Sequence, residues 1–264
     1  MTEQIRDPWK IVELSRDTKR LTARDYIENV FSSFFELHGD RFYGDDPAML
    51  CGPAWLDDHP VMLLTQNRGR TEEESRLCRY GMPEPEGYRK AMRLMQQAEK
   101  FHIPVISLID TPGAFSGIEA EYRGQGSAIA NSLKMMVHLK TPVISVVIGQ
   151  GGSGGALALA LADCVFMLRN ATYSILSPEG FASILWKDGN RAKEAAGVMK
   201  ITAQDLKELH VVEDIIPEYG GADEDALSSI ANYMKGHMKE FLRAQNGKSG
   251  EHLAQERYER FRAF

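Results

Sequence analysis

A run of glycines between an apolar segment and a run of small helix formers constrains this chain more than any other feature. Residues 142–148 are apolar and rich in β-branched side chains, which is typical of a buried strand. Five of the next seven residues, 149–155, are glycine, and residues 156–162 alternate alanine with leucine, both strong helix formers. This order predicts a strand, a tight turn and a helix that follow one another without spare residues.

The glycines make this turn a candidate anion site. The start of a helix offers unpaired backbone N–H groups at the positive end of the helix dipole. Glycines remove the side chains that would keep another molecule's oxygen away from those N–H groups. One or two glycines would be explained by close packing of a helix on a sheet, whereas this density favours a site for an anion or an oxyanion.

A second strand–loop–helix unit comes directly before the first. Residues 103–109 are a predicted strand, the loop 110–117 reads Asp-Thr-Pro-Gly-Ala-Phe-Ser-Gly, and a helix is predicted over 121–139. Consecutive units of this kind place their strands side by side and parallel, so both loops leave the same edge of the sheet. We therefore expect a cleft between the loop 110–117 and the glycine run 149–155.

The remaining elements are predicted from capping signals and from the spacing of apolar residues. Helices are expected from Asp7-Pro8, from Thr22 through an aromatic face to Leu37, over 88–101, from Ser177-Pro178, over 192–199, from Thr202 and from near Asp223; strands are expected over 48–55, 60–65, 164–168, 173–176 and 211–216; a charged surface loop is expected over 67–81. Capping alone explains Ser177 and Glu179. The charged tail beyond Gly247 is expected to pack on another surface or to fray.

Composition excludes several classes of protein. With 264 residues, 43% apolar and 26% charged, the chain is long enough for one large or two small globular domains. A formal net charge of −6 argues against non-specific nucleic-acid binding. The three cysteines form no CxxC pair, which excludes an obvious zinc knuckle and suits a reducing cytosol. No signal peptide or membrane span is evident, so we expect a soluble, cytoplasmic protein without a membrane association.

Three interpretations of the glycine run compete. The spacing of Gly149, Gly151 and Gly154 matches the dinucleotide fingerprint, but the next strand ends without the acidic residue that would hold a ribose. A Walker phosphate loop is excluded because no Gly-Lys-Ser/Thr follows. The third interpretation is a serine-hydrolase nucleophile elbow, G-x-S-x-G, centred on Ser153.

A hydrolase would also need an acid and a histidine near Ser153. Asp205 or Asp214, together with His210, are the downstream candidates. Spacing cannot verify that pair. Pattern alone therefore leaves an oxyanion hole with an unknown nucleophile.

Several motifs also occur together in one order between residues 8 and 220. They are His-Gly-Asp-Arg at 38–41, Pro-Glu-Gly-Tyr-Arg-Lys-Ala at 85–91, Asp-Thr-Pro-Gly-Ala at 110–114, Arg-Gly-Gln at 123–125, the glycine-rich run at 149–156 and Ser-Pro-Glu-Gly-Phe-Ala-Ser-Ile-Leu-Trp-Lys-Asp at 177–188. Together they resemble the carboxyltransferase alpha-subunit family of bacterial acetyl-CoA carboxylase. The resemblance implies an α/β fold of the crotonase-like type, a superhelix of repeated β-β-α units with N-terminal and C-terminal helices. It implies an N-terminal helical segment over 1–40, a carboxyltransferase domain over 41–245 and a helical tail over 246–264.

The resemblance implies half of an enzyme. The family transfers the carboxyl group from carboxybiotin, carried on the biotin carboxyl carrier protein, to acetyl-CoA. The product is malonyl-CoA, in the first committed step of fatty-acid biosynthesis. The expected partner is a beta subunit in an α2β2 heterotetramer, with the carrier protein and biotin carboxylase in the wider complex. No cofactor or metal is expected in this chain, and zinc is expected only in the beta subunit.

The resemblance also assigns roles to residues. The backbone N–H groups of Gly154 and Gly155 are expected to face the ureido oxygen of biotin. The residues expected to shape the substrate pocket are Gly113, Ala114, Gly117, Gly151, Gly152 and Ser153, with Ser153 as a spacer. Basic residues crowd the region of this acidic protein between positions 68 and 93, among them Arg68, Arg70, Arg79, Arg89, Lys90 and Arg93. They form either a solvated face or a docking surface, and Arg89 and Lys90 are the expected contacts to CoA phosphate or to the beta subunit.

The chain departs from the family pattern at two places. It has Phe115-Ser116 where Tyr-Pro is usual, and Gln150 where glutamate is usual. The first change frees the loop, and the second removes a charge beside the site. These departures leave open a paralogue that binds the beta subunit without catalysis.

Overall fold

One seven-stranded sheet organises the part of the chain that the computed structural model describes, residues 7–218 and 224–264. Its strands are β1 (Met49–Leu56), β2 (His59–Gln66), β3 (Val105–Thr111), β4 (Val143–Gly152), β5 (Cys164–Leu168), β6 (Thr172–Ser174) and β7 (Asp214–Ile216). Their order is β1-β2-β3-β4-β5-β7, and β6 pairs with the end of β4. The two glycine-containing loops thus leave strands that are neighbours in the sheet.

Helices cover this sheet. They are α1 (Pro8–Ser15), α2 (Ala23–Val30), α3 (Glu72–Leu77), α4 (Pro85–Phe101), α5 (Ile118–Tyr122), α6 (Gln125–His138), α7 (Ser153–Leu157), α8 (Pro178–Trp186), α9 (Ala192–Val198), α10 (Ala203–Glu208), α11 (Glu224–Gln245) and α12 (Gly250–Arg262). Short 3₁₀ turns occupy Arg79–Gly81 and Gly189–Arg191. Asp223, near which the long polar helix is predicted to begin, lies outside the described residues.

The centre of the sheet is parallel. Strands β1 and β2 form an antiparallel hairpin, whereas β2, β3, β4 and β5 run parallel to one another. Every residue of β3 and the first seven of β4 are buried, because helices cover both faces of a parallel sheet. Val105 lies beside Val143, and Ile109 lies beside Val147. This register confirms the prediction that the two strands are parallel neighbours.

A buried arginine, Arg257, connects the tail helix α12 to the rest of the structure. Arg257 is fully buried, and its Nε and Nη2 each lie 2.8 Å from an oxygen of Asp163. The same guanidinium donates to the carbonyl oxygens of Met136, Leu139 and Thr141 at 2.7–3.0 Å. These carbonyls lie at the end of α6 and just beyond it, so the tail closes the connection that leads into β4.

The predicted helix from Thr22 to Leu37 is wrong in its second half. The helix α2 ends at Val30, and the following residues run extended beside β1. Ser32 exchanges backbone hydrogen bonds of 2.9 Å with Trp55, and Leu37 donates to the carbonyl of Cys51 at 2.8 Å. Gly52 permits this approach, since a side chain there would collide with the carbonyl of Phe35.

The segment 67–81, predicted as a surface loop, is exposed over most of residues 70–80, as expected, but it is not a loop throughout. It contains α3, whose first turn holds three glutamates and is capped by the Thr71 hydroxyl. Both Asn67 and Gly81 are buried. Further along, the helix predicted over 121–139 is interrupted at Gly124, whose φ of +83° ends α5 and begins α6.

The helix predicted over 156–162 is mostly absent. Strand β4 continues through Gly152, and α7 ends at Leu157. The carbonyl of Ala158 accepts a hydrogen bond from the Ser132 hydroxyl at 2.7 Å, and the carbonyl of Leu159 accepts from Ser107 and Ser145 at 2.7 and 2.8 Å. Buried hydroxyls take the place of helical N–H groups, so the chain turns early despite its helix-forming residues.

Candidate active site

The two glycine-containing loops touch where β3 and β4 end. A side chain on Gly152 would collide with the carbonyl of Pro112. A Cβ on Gly155 would lie 2.5 Å from the nitrogen of Ala114 and 2.8 Å from the carbonyl carbon of Gly113. Both glycines therefore permit backbone to pack on backbone, and the predicted closeness of the loops is confirmed.

A left-handed residue redirects the chain at this contact. Ser153 has a φ of +55°, which L-residues adopt at a cost, and it begins α7. Gly113, opposite, has a φ of +151°, which strongly favours glycine. The two conformations let the loop 110–117 and the glycine run 149–155 share one corner of the molecule.

The main chain of Gly154 and Gly155 presents N–H groups that are not used internally. Outside α7, neither N–H donates a hydrogen bond to an acceptor among residues 7–218 and 224–264, and the N–H groups in the first turn of a helix have no partner within that helix. The carbonyl of Gly155, by contrast, is held from behind by Gln66 Nε2 at 2.8 Å and by the Tyr88 hydroxyl at 3.2 Å. These two hydrogen bonds fix the peptide between Gly155 and Ala156, which directly follows the peptide that carries the Gly155 N–H.

An apolar cavity of about 800 Å³ lies beside Ser153 and Gly154. Its other lining residues are Leu157, Tyr173, Ser174, Ile175, Leu176, Phe181, Met199, Lys200, Ile201, Leu206, Leu209, Val211, Phe261 and Phe264. A smaller cavity of about 280 Å³ adjoins the other side of the glycine run, at Gln150, Gly151 and Gly152. Backbone donors at the wall of an apolar cavity suit a neutral ligand that acquires negative charge during a reaction, since hydrogen bonds to charge strengthen where water is excluded.

A buried charge network supports the glycine run, and sequence reasoning missed it. Asp110 accepts a 2.9 Å hydrogen bond from the Gln150 N–H, and its other oxygen lies 3.3 Å from Arg68 Nε. Arg20 donates twice to the carbonyl of Ile148, at 2.9 and 2.7 Å, and pairs with Glu218 at 2.7 Å. In the sequence, Asp110 directly follows the predicted strand 103–109, and this position could have identified it as a site residue. No neighbouring motif identifies Arg20 or Glu218.

Glu179 is held as an anion by a neighbouring cation. Its carboxylate forms a two-point ion pair with Arg16, with N–O distances of 2.8 and 3.1 Å. That hydrogen bonding lowers the pKa of Glu179 to about 2. The Ser177 hydroxyl caps the same helix by accepting from the Gly180 N–H. This supports the interpretation that Glu179 and Ser177 serve the helix start rather than proton transfer.

The serine-hydrolase interpretation finds no catalytic partners. In the described ranges, no histidine lines the cavity beside Ser153. His210 is exposed at the end of α10. Asp205 is bound to Thr202 and Lys200, whereas Asp214 is bound to Lys207 and Tyr233. The acid and histidine candidates are therefore not assembled around Ser153.

The structure contradicts the predicted contact of Lys90 with CoA or a partner. Lys90 is fully buried, and its ammonium pairs with Asp45 at 2.5 Å and donates to the carbonyl of Asp46 at 2.9 Å. Arg89 is mostly buried and binds Asp40 and Glu86 at 2.7 and 2.8 Å. The role of Arg89 in ligand or partner contact stays a prediction.

Phe115, one of the departures from the family pattern, is packed against its neighbours in the loop 110–117. The Phe115 ring covers Gly117, whose Cβ would lie 2.8 Å from Phe115 Cζ. The Arg79 guanidinium lies over the other part of that ring, 4.6 Å from its centroid, and Gln125 Nε2 donates to the Phe115 carbonyl at 2.9 Å. Phe115 is thus positioned by three neighbours, although no proline precedes Gly117.

In the portion of the chain that the structure describes, no group of three or more His, Cys, Asp or Glu side chains is arranged to hold a metal ion. The same portion contains no helix of the length and apolar character needed to cross a bilayer. Cys51, Cys78 and Cys164 are buried and free.

Comparison with known proteins gives one family. Residues 2–264 match the family described as acetyl co-enzyme A carboxylase carboxyltransferase-like. Over 259 residues, 98% of this chain and 94% of the relative, the chain is 52% identical to the acetyl-coenzyme A carboxylase carboxyl transferase subunit alpha of Clostridium botulinum. It is 53% identical to the corresponding subunit of Clostridium perfringens, over 97% of this chain and 94% of that one. A beta/alpha protein of Natranaerobius thermophilus matches at 52% identity over 97% of this chain and 42% of its own length.

Solved structures give the same fold at low sequence identity. A transcarboxylase 12S structure superposes with a TM-score of 0.68 at 20% identity, over 85% of this chain and 43% of that one. A Pseudomonas malonate decarboxylase hetero-tetramer in complex with coenzyme A superposes with a TM-score of 0.67 at 15% identity, over 90% of this chain and 94% of that one. The predicted crotonase-like fold is confirmed.

Proposed function

The chain belongs to the acetyl-CoA carboxylase carboxyltransferase family, and from this premise we propose that it is the alpha subunit of an enzyme that carboxylates acetyl-CoA. The proposed donor is carboxybiotin on a carrier protein, and the product is malonyl-CoA for fatty-acid synthesis. Relatives named as alpha subunits match over nearly the whole length of both chains. The observation that carries the proposal at the level of residues is the start of α7, where the N–H groups of Gly154 and Gly155 have no acceptor outside the helix among the described residues and where Gly154 lines an apolar cavity.

The reaction breaks the bond between the carboxyl carbon and a ureido nitrogen and joins that carbon to the methyl carbon of the acetyl thioester, while one methyl proton passes to the ureido nitrogen. When bound, carboxybiotin supplies the carboxyl group and a ureido oxygen on which negative charge develops. Gly154 and Gly155 would donate hydrogen bonds to that oxygen. A single donor of this kind is typically worth about 3–4 kcal/mol of barrier. Such donors need no nucleophilic side chain, which agrees with the absence of an acid and histidine pair at Ser153.

The chain's own residues fit this ligand. The cavity beside Gly154 has an apolar lining that would exclude water and hold an uncharged ring and its alkyl chain. The loop 110–117 would form one wall, since Gly113 and Ala114 lie directly against Gly155. We propose that no resident cofactor or metal takes part in this chain, and that zinc belongs to the beta subunit.

The proposed partner is a beta subunit, in an α2β2 assembly that receives the carrier protein and biotin carboxylase. Some relatives join beta and alpha in one polypeptide. Large apolar side chains also remain exposed on or beside the lining of the cavity, including Ile175 at 78% and Leu209 at 54% of full exposure. An apolar surface of this kind commonly marks an interface. We also propose a cytoplasmic location, which the three unpaired cysteines support.

The experiment reconstitutes the two subunits. The purified chain is mixed with the beta subunit of its own organism, and malonyl-CoA decarboxylation to acetyl-CoA is followed with a free biotin derivative as acceptor. Turnover that requires both chains is the expected result. If a reference alpha and beta pair works under the same conditions and this pair binds without turnover, the non-catalytic alternative holds. Gln150→Glu then tests whether the missing charge is the reason. Absence of both binding and turnover would contradict the proposal itself.

A further inference from the structure

A basic groove lies between α4 and α6, away from the glycine run. It has a volume of about 710 Å³. Its lining residues are Asp40, Arg41, Arg89, Met92, Arg93, Gln96, Asn131, Lys134, Met135 and His138. None of them lines either cavity at the glycine run, so the groove is separate from the candidate active site.

Two guanidinium groups converge at one end of the basic groove. Arg41 Nη1 donates to the carbonyl of His38 at 2.8 Å, and Arg93 Nη2 donates to the same oxygen at 3.3 Å. Gly39 makes room for this arrangement, because a Cβ there would lie 3.0 Å from Arg41 Nη1. Burial and the neighbouring charge of Arg41 lower the pKa of Arg93. The two positive charges repel each other while the site is empty, and a bound anion would relieve this repulsion.

The acidic neighbours do not neutralise this end of the basic groove. In the described ranges, neither Arg41 nor Arg93 forms an ion pair with a carboxylate. Asp40 is the carboxylate of the lining, but it accepts backbone hydrogen bonds from Phe42, Tyr43 and Gly44 and is paired with Arg89. The carboxylate of Asp45 is paired with Lys90. The two guanidiniums therefore keep donors for an incoming anion.

The rest of the basic groove combines a cation with an apolar floor. Lys134 is exposed on α6 and lines the side opposite Arg41 and Arg93. Met92 and Met135 are half-buried between them. Thioether side chains are polarisable and adapt to flat rings. The lining of the groove thus combines cationic side chains from both helices with two methionines, in a protein whose net charge is −6.

We propose that the basic groove binds a phosphorylated small molecule. A phosphate would lie against Arg41 and Arg93, because planar guanidiniums match two phosphate oxygens at once. The apolar part of the ligand would cover Met92 and Met135, and a second negative group would reach Lys134. A nucleotide site would be independent of the proposed function, whereas a CoA site would rest on it, because acetyl-CoA is the proposed substrate. A free nucleotide and the phosphoadenosine end of a CoA compound share this chemistry, and the experiment separates them.

The test is calorimetric titration of the full chain, alone and in complex with its beta subunit, at physiological ionic strength. The probes are tripolyphosphate, ATP, CoA and dephospho-CoA. Saturable binding of ATP or CoA that is tighter than binding of tripolyphosphate is expected, because only the first two have an apolar body. Tighter binding of ATP identifies a nucleotide site, and tighter binding of CoA than of ATP or dephospho-CoA identifies a CoA site.

Variants assign the binding to the basic groove. Arg41→Gln and Lys134→Gln, both at exposed positions, should each weaken binding about tenfold, the effect of one charge-assisted hydrogen bond. Arg93→Gln should do the same, and circular dichroism shows whether each variant folds. Arg243→Gln, at an exposed position of α11 outside the groove, is the matched control. The proposal is overturned if no probe binds saturably, if the groove variants bind like the wild type, or if the control loses as much affinity as they do.

Discussion

The glycine pair in α7 allows a matched test of the loop contact. A methyl group at Gly155 would lie 2.5 Å from the Ala114 nitrogen, 2.8 Å from the Gly113 carbonyl carbon and 3.0 Å from the Tyr88 hydroxyl. A methyl group at Gly154 would meet only Ile129 Cγ2, at the ordinary contact distance of 3.6 Å. The two substitutions have the same chemistry and adjacent positions in one helix, but only Gly155→Ala forces the loops apart.

The expected changes in stability have opposite signs. Overpacking a tight site costs about 1–3 kcal/mol, and alanine in a helix gains about 0.5–1 kcal/mol over glycine. Gly155→Ala should therefore lower the free energy of unfolding by about 1–2 kcal/mol, and Gly154→Ala should raise it by up to about 1 kcal/mol. For a chain of this size, roughly 2–4 °C of Tm corresponds to each kcal/mol. Chemical denaturation and thermal melting of both variants measure these values.

Activity gives the second readout. Displacing the Gly155 N–H by the width of a methyl group removes a donor from its position, and loss of one such donor costs about 10²–10³ in kcat. Gly155→Ala should lose this activity in the reconstituted enzyme even at temperatures where it is fully folded. If Gly155→Ala is as stable and as active as the wild type, the loops are not in contact as described and the backbone-donor mechanism is refuted.

Three further predictions concern individual side chains. Arg257→Leu leaves Asp163 buried without its partner and should lower the free energy of unfolding by about 3–5 kcal/mol. Denaturant titration measures this loss. The double variant that also carries Asp163→Asn should recover part of it. Arg16→Gln should lower stability at pH 7 by less than about 1 kcal/mol, because the pair with Glu179 is partly exposed. The pKa of Glu179 is lowered from 4.5 to about 2, so the stabilisation by this ion pair is present above pH 4.5 and declines as the pH falls toward 2. Urea denaturation of the wild type and of Arg16→Gln should therefore show a smaller difference in the free energy of unfolding at pH 4 than at pH 7. Ser153→Ala should leave carboxyl transfer largely unchanged in the reconstituted assay, whereas loss of all turnover would support a nucleophilic serine.

The parallel core could be predicted from sequence because its signal is local and repeated. Residues 103–109 and 142–148 are continuous apolar runs, each followed by a loop and a helix, and few arrangements other than neighbouring parallel strands accommodate them. The helix predicted over residues 31–37 is wrong because the aromatic residues of this segment fit a helical period as well as an extended chain. Pairing with Cys51, Pro53 and Trp55 decided between the two, and that pairing depends on tertiary structure.

The contact between the two glycine-containing loops was predictable in place but not in detail. Glycine density located the loop contact, yet it could not distinguish Gly155, which is required by close packing, from Gly154, where a methyl group would meet only Ile129 at an ordinary contact distance. The sequence predicts a surface position for Arg89 and Lys90. The carboxylates that bind them, Asp40 and Asp45, lie more than forty positions earlier in the chain, so no local pattern reveals the pairing. Charge pairing over such separations leaves no periodic pattern to read.

A catalytic site made of main-chain donors places an unusual demand on the residues beneath it. A side chain can reach its ligand by changing rotamer, whereas a backbone N–H moves only if its peptide moves. The position of the glycine run therefore depends on groups that fix the peptides around it. Asp110 binds the N–H of Gln150, and Arg20 binds the carbonyl of Ile148, so both anchors lie just before the donors of Gly154 and Gly155. The buried charges near this site thus act by holding backbone in place, which explains why ionised groups lie so close to the proposed chemistry without entering the cavity where it would occur.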